Sequence, residues 1–171
     1  MLNQDFLLQF SQIAIPYDSV DEEYIIKPRK WNTKNLGRFM VVMGMTSSVI
    51  DVLAFLSFWF ILGYNSVANE AYFQTAWFIE GVISQTLIVH FVRTAKIPFI
   101  ESTANKYLLI STFLCIIASM ILPILLAPIK SFHFTYLPLN FYIFVIFLSL
   151  LYIVVEEIVK KMYIKKYKRW L

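Results

Sequence analysis

The stretch LNFYIFVIFLSLLYIVVEEIVKKMYIKKYKRWL, residues 139–171, decides how the rest of the chain is read. It opens with a run that is apolar almost without interruption, about 20 residues long, which as a helix crosses the ~30 Å hydrocarbon core of a bilayer. Lys160, Lys161, Lys165, Lys166, Lys168 and Arg169 then follow in quick succession. An apolar run that stops against a block of cations is the pattern of a membrane helix whose end stays in the cytoplasm. Strand propensity is high in the run. A single strand in lipid leaves its backbone N–H and C=O groups unpaired, however, so the span must be helical.

Three more such runs lie upstream, at 107–129, 71–92 and 39–64, the last ending in an apolar and aromatic stretch. Pro123 is expected to kink the run at 107–129 near its outer end. The cations are distributed unevenly between these spans. Lys27, Arg29, Lys30, Lys34 and Arg38 precede the first span. Arg93, Lys96 and Lys106 separate the second from the third, and six cations follow the fourth. The only Lys or Arg on the other side is Lys130, one of 15 in total. The positive-inside rule then puts both chain ends in the cytoplasm of a multi-pass protein of the plasma membrane. Trp59, Tyr64, Tyr72, Trp77, Tyr107, Tyr136, Tyr142 and Tyr163 fall near span ends, as an aromatic belt does.

Composition agrees with this reading. Of 171 residues, 59% are hydrophobic and 15% charged; a soluble domain is nearer half apolar and a quarter charged. The net charge of +4 sits beside apolar runs, so it indicates lipid and not nucleic acid. The one cysteine, Cys115, lies within a span and reads as a small buried hydrophobe. Residues 1–16 are apolar but too short to cross. With the charge pattern, they read as the truncated end of a membrane helix that arrives from the outer side. Residues 17–38 read as a cytoplasmic loop, acidic at Asp18, Asp21, Glu22 and Glu23 and interrupted by Pro28. The expected fold is an all-α membrane protein with four transmembrane helices over 39–171, a truncated N-terminal half-helix and a cytoplasmic linker.

Ionisable residues inside spans cost a few kcal/mol on insertion scales and so face protein or water. Asp51 lies 13 residues past Arg38, roughly 20 Å along a helix, which places it deep in the bilayer. Glu80 and Ser84 share a face of the second span, and Gln85 lies off to the side. Asp51 and Glu80 either line a cation path or bind helices together; the second role is the commoner one. Glu156 and Glu157 are expected at the inner interface beside the basic tail. His90 is expected to be hydrogen-bonded to a neighbour and not to ligate metal. The basic tail suits a topology anchor, with anionic lipid as its other reading. No phosphate-binding loop, aspartyl-phosphate motif or nucleophile–base set occurs, so the chain by itself should bind no cofactor and hydrolyse no ATP.

Several blocks resemble the C-terminal membrane region of bacterial magnesium-transporting P-type ATPases. They are SQIAIPYD at 11–18, VDEE at 20–23 and KPRKW at 27–31. LGRFM at 36–40 follows, then GMTSS at 44–48 with Ile50 and Asp51. The most specific are WFIEG at 77–81, SQTLIVH at 84–90, Arg93 with Thr94, and IPFI at 97–100. The resemblance covers the whole chain and is strongest over 11–100. It implies the inner half of helix six and helices seven to ten of a ten-helix pump, with magnesium as the transported ion and ATP used by domains elsewhere in the pump. The implied partners are the bilayer and the remainder of the pump, its N-terminal helices and cytoplasmic domains. The sequence departs from that pattern where the family carries an Asp just before the Ser-Gln pair: Gln9 and Phe10 stand here. Asp5 and Gln9 are then the candidate metal-binding oxygens on this segment. Met45 stands where the family often has Pro. The implied role is to brace the ion-carrying helices, from a truncated gene product, a cut-out domain or half of a split pump. The alternatives are a free-standing four-span partner or regulator of a transporter and, less favoured, a small channel built on Asp51 and Glu80.

Overall fold

The computed structural model describes residues 2–19, 33–168 and 170. The expected acidic patch at 21–23 and the basic run of Lys27, Arg29 and Lys30 with Pro28 lie outside the described residues. Among the described residues there are five α-helices: α1 (Leu2–Gln12), α2 (Thr33–Phe60), α3 (Glu70–Val92), α4 (Lys106–Leu126) and α5 (Leu139–Tyr167). No strand occurs among the described residues. α2 to α5 supply four segments long and apolar enough to cross a membrane. The chain is an all-α, multi-pass membrane protein.

The helix ends do not coincide with the ends of the apolar runs. α2 begins at Thr33, inside the stretch read as a loop, and α5 continues to Tyr167, well into the basic tail. Lys and Arg are good helix formers, so hydropathy marks where a helix leaves lipid and not where it stops. α2 closes in a tight turn: the Tyr64 N–H donates to Phe58 O at 3.0 Å, and Gly63 takes a φ of 71°, which only glycine adopts without strain. α4 is capped by Asn105, whose Oδ1 accepts from the Tyr107 N–H. Pro123 lies one turn from the end of α4.

α3 is the axis of the bundle. It packs against α1 and α4 on one side and against α2 and α5 on the other. In its most apolar stretch 72% of residues are buried, against 22–28% for the other three spans. The cause is in its sequence. α3 carries Thr75, Glu80, Ser84, Thr86 and His90, all buried, and a span with that many polar side chains is accommodated by protein sooner than by lipid. The other spans turn apolar side chains outward, among them Val52 and Leu53 on α2, Phe113 and Leu114 on α4, and Ile146, Phe147 and Leu150 on α5. In a bilayer that is the solvated surface.

α1 lies antiparallel to α4 and is tied to it by two side-chain bonds. Ser111 Oγ donates to Ser11 O at 3.0 Å, and Cys115 Sγ to Leu7 O at 3.4 Å. On its other flank the Gln4 side-chain amide sits directly over Gly81 of α3, in the space a Cβ would occupy. Leu7, Ser11 and Ala14 form the buried face of this segment; Phe6, Phe10 and Ile13 are exposed.

Candidate functional site

Two polar constellations stand out, one inside the bundle and one at its basic end. The interior one starts with Glu80 of α3, 5% exposed, and Asp51 of α2, which is half-buried and within electrostatic reach of it. Glu80 Oε2 is buried and has no hydrogen-bond partner among the described residues. Ser84, one turn along the same face, is buried and donates back to Gly81 O at 3.3 Å. Gln85 points away and is exposed, as the helical period requires. Asp51, Glu80 and Ser84 therefore belong to one interior surface, and Gln85 does not.

α5 extends that surface. Tyr152, Glu156 and Lys160 follow at four-residue spacing and are 1%, 0% and 0% exposed. The Tyr152 hydroxyl is near enough to Asp51, Glu80 and Glu156 to interact with their charges. Ser47 of α2 approaches it, but not in a geometry that makes a hydrogen bond. Glu156 is wholly buried within the protein, while Glu157 keeps a little exposure. Lys160 Nζ donates to Lys96 O at 2.7 Å, ion-pairs with Glu157 Oε2 at 2.8 Å and lies 5.5 Å from the Phe91 ring. The i, i+4, i+8 spacing of an aromatic hydroxyl, a carboxyl and an amine was visible in the sequence. It was obscured because the two acids read naturally as part of the charged tail.

The second constellation centres on Arg93, one residue past α3. Its Nε donates to Asp18 Oδ2 at 2.6 Å, and its terminal nitrogens donate to Ser102 O, Ser102 Oγ, Thr103 O and Ser19 O at 3.1–3.5 Å. Asp18 Oδ1 in turn accepts the Asn105 N–H at 2.7 Å, and Asn105 Nδ2 donates to Tyr17 O at 2.7 Å. One guanidinium thus joins the segment after α1 to the connection between α3 and α4. No sequence signal reveals this pair, because Arg93 and Asp18 are 75 residues apart. Beside it, His90 is buried and its Nε2 is 2.8 Å from Thr112 Oγ1 on α4. A histidine engaged in that way holds two helices together.

Asp5 and Gln9 lie one turn apart on α1, both exposed and outside the buried face of Leu7, Ser11 and Ala14. Among the described residues no three His, Cys, Asp or Glu side chains converge as a metal site would need. The chain has oxygen donors on two separate surfaces, the outer face of α1 and the α2–α3–α5 interior.

Comparison with known proteins identifies the setting. The family described as cation transporting ATPase, C-terminus, matches residues 2–162. The chain is 39% identical over 171 residues, 99% of its length, to the magnesium-transporting ATPase, P-type 1, of Salmonella typhimurium. It is 39% identical over 168 residues to the protein of that name from Escherichia coli K12. It spans 19% and 18% of the length of those two relatives. The chain belongs to the family of cation-transporting ATPase C-termini.

Proposed function

We propose that this member of the cation-transporting ATPase C-terminus family is the C-terminal membrane region of a magnesium-transporting P-type ATPase. In this reading α1 belongs to helix six of the pump, and α2 to α5 are helices seven to ten. The start of α2 and the end of α5 lie on the cytoplasmic side, in keeping with the 14 of 15 Lys and Arg on that side of the spans.

The packing of α1 carries the reading. It is 11 residues long, too short to cross, yet it lies against both α3 and α4. Its other face presents Phe6, 70% exposed, and Phe10, 49% exposed, together with Asp5 and Gln9. A surface that mixes large apolar groups with oxygen donors suits further helices around an ion path better than it suits lipid. On this reading α3 and α4 brace α1, and α1 offers Asp5 and Gln9 toward the transported magnesium. The Gln4–Gly81 approach sets the distance between α1 and the brace.

Co-expression with an N-terminal pump portion in a magnesium-starved strain that lacks its own pump tests this. Growth restored only when both polypeptides are made is expected. Full-level presence of both in the membrane without growth would count decisively against it. The isolated chain is expected to show no vanadate-sensitive ATP hydrolysis, and a C-terminal reporter should be active only in the cytoplasm. A free-standing regulator would give restored growth in neither arrangement and would instead change the activity of an intact pump.

A further inference from the structure

The stripe on α5 is a column and not merely a cluster. At 1.5 Å per residue, Tyr152, Glu156 and Lys160 are stacked at steps of about 6 Å along the helix. The Phe91 ring of α3 lies 6.4 Å from the Tyr152 ring and 5.5 Å from Lys160 Nζ, which puts Glu156 at the depth of Phe91. The ring contacts of α2 fix the other depths. Phe55 and Phe58 meet Phe73 of α3, and Phe58 meets Phe141 and Phe144 of α5. Counting along the helices from those contacts brings Asp51, Glu80 and the start of the α5 column to neighbouring levels. The column then runs from these carboxyls to the basic end, where Lys160 meets Glu157 and the Lys96 carbonyl.

Four oxygen atoms of this column lack hydrogen-bond partners among the described residues: Glu80 Oε2, the Tyr152 hydroxyl and both oxygens of Glu156. Residues that only hold helices together are bonded across the interface, as His90 is to Thr112. Buried polar groups in native proteins nearly always have a partner, and where no side chain serves, an internal water does. Steps of about 6 Å are what one bridging water spans between two groups at ~2.8 Å each.

We propose that Tyr152, Glu156 and Lys160 form a water-bridged proton path between the buried carboxyls Asp51 and Glu80 and the protein surface at the basic end. A hydronium ion at the Lys160–Glu157 pair gives up a proton to water leading to Glu156, and an O–H bond forms on its carboxylate. That bond breaks as the proton passes to the next water. The Tyr152 hydroxyl accepts a proton on one side and releases its own toward Asp51, whose carboxylate gains the O–H. One proton moves and no electron is transferred. Glu156 faces Lys160 one turn along α5 and Tyr152 one turn back; Asp51 on α2 and Glu80 on α3 act on Tyr152, and Glu157 and Lys161 act on Lys160. Glu101, in the connection after α3, acts on the Lys160 end. The transport reading supplies a use for such a path, charge compensation at a carboxyl during ion movement, but the path itself does not depend on that reading.

The test uses the full-length protein that contains this region, reconstituted in lipid. Infrared spectra of the carboxylic C=O band, assigned to the interior pair by Asp51→Asn and Glu80→Gln, are followed after a switch from H2O to D2O. Glu156→Gln and Tyr152→Phe are each expected to slow isotopic exchange of that band at least tenfold, with helix content and thermal unfolding unchanged. Glu70→Gln, at the opposite end, should leave the rate as it was. Tyr152→Phe removes only the hydroxyl and keeps the ring against Phe91, so it decides the question if Glu156→Gln fails to fold. Exchange at the parent rate in a folded Tyr152→Phe protein, or no carboxylic band assignable to Asp51 or Glu80, overturns the proposal. Either result can be read whether or not the protein transports magnesium.

Discussion

The two ends of this bundle are held by different physics. At the aromatic end Phe58, fully buried, meets Phe73, Phe141 and Phe144 at ring-centre distances of 6.3, 5.8 and 6.4 Å; Phe55, Trp59 and Trp77 continue the cluster on Phe73. Each such pair adds about 0.5–1.5 kcal/mol beyond burial and tolerates many geometries. At the basic end the work is done by directional bonds from few groups: Arg93 to Asp18 and three carbonyls, Lys160 to Lys96 O, Trp170 Nε1 to Val92 O at 3.2 Å. The difference follows from what lies there. The aromatic end joins helices, whose backbones satisfy themselves. The basic end includes residues 93–105, a connection without a helix or ladder of its own, whose carbonyls need outside donors. Rings hold the helices together, and cations fix the path of the chain between them.

The strongest test of that contrast is a matched pair of substitutions. Arg93→Ala leaves Asp18, 13% exposed, without its cation and strands the carbonyls of Ser102 and Thr103. Breaking a buried pair from one side costs about 3–5 kcal/mol. Arg93→Lys should recover less than half of this, because an ammonium cannot reproduce the guanidinium fork. Phe58→Ala should cost about 3 kcal/mol as a core cavity, and Phe58→Leu about 1 kcal/mol, since neighbouring rings can close on the smaller side chain. Reversible unfolding in mixed micelles measures all four. A conservative change tolerated at Arg93 and not at Phe58 would invert the picture.

What the sequence disclosed divides along the same line. The four spans were legible because apolar length and the sidedness of Lys and Arg are summed properties of the chain. The polar face of α3 was legible because Glu80 and Ser84 share a helical period. His90 was expected to bond a neighbour, and it meets Thr112. Contacts that need two distant segments were not legible. Asp18 read as one member of an acidic patch, and nothing local distinguished it from its neighbours as the partner of Arg93. Glu156 read as interfacial because it stands beside the basic tail; that turn of α5 is covered by α3 and the connection after it, which sequence alone does not show. The separation between Asp5 and Gln9 on one surface and Asp51 and Glu80 on another was equally hidden, since it depends on how α1 is rotated against α3.

A smaller effect separates packing from bonding at the basic end itself. Trp170 is 3% exposed, stacks edge-on to Phe39 at 4.6 Å and donates its indole N–H to Val92 O. Trp170→Phe retains a ring and removes that donor, so a loss of about 1 kcal/mol is expected from the bond. Trp170→Ala should lose more, because the pocket formed by Phe39, Met43 and Tyr163 opens as well. Equal losses for the two would mean that the ring, and not the bond, anchors the end of the chain, and the basic end would then resemble the aromatic one.

The smallest expected effect tests whether charge alone explains the basic end. Lys160 and Lys161 both approach Glu157, at 2.8 and 3.7 Å, yet the Lys160 side chain is fully buried and that of Lys161 is 63% exposed. If Coulomb attraction were the main term, the two would differ little. Water and salt screen the exposed pair, however, and such pairs contribute 0–1 kcal/mol at most. Lys161→Ala should therefore change stability by less than about 0.5 kcal/mol, and raising the salt concentration should erase even that. Lys160 differs in having the Lys96 carbonyl and the Phe91 ring as well, neither of which salt can replace. A loss above about 1 kcal/mol for Lys161→Ala would show that this end is organised by its overall charge and not by a few buried, directional bonds.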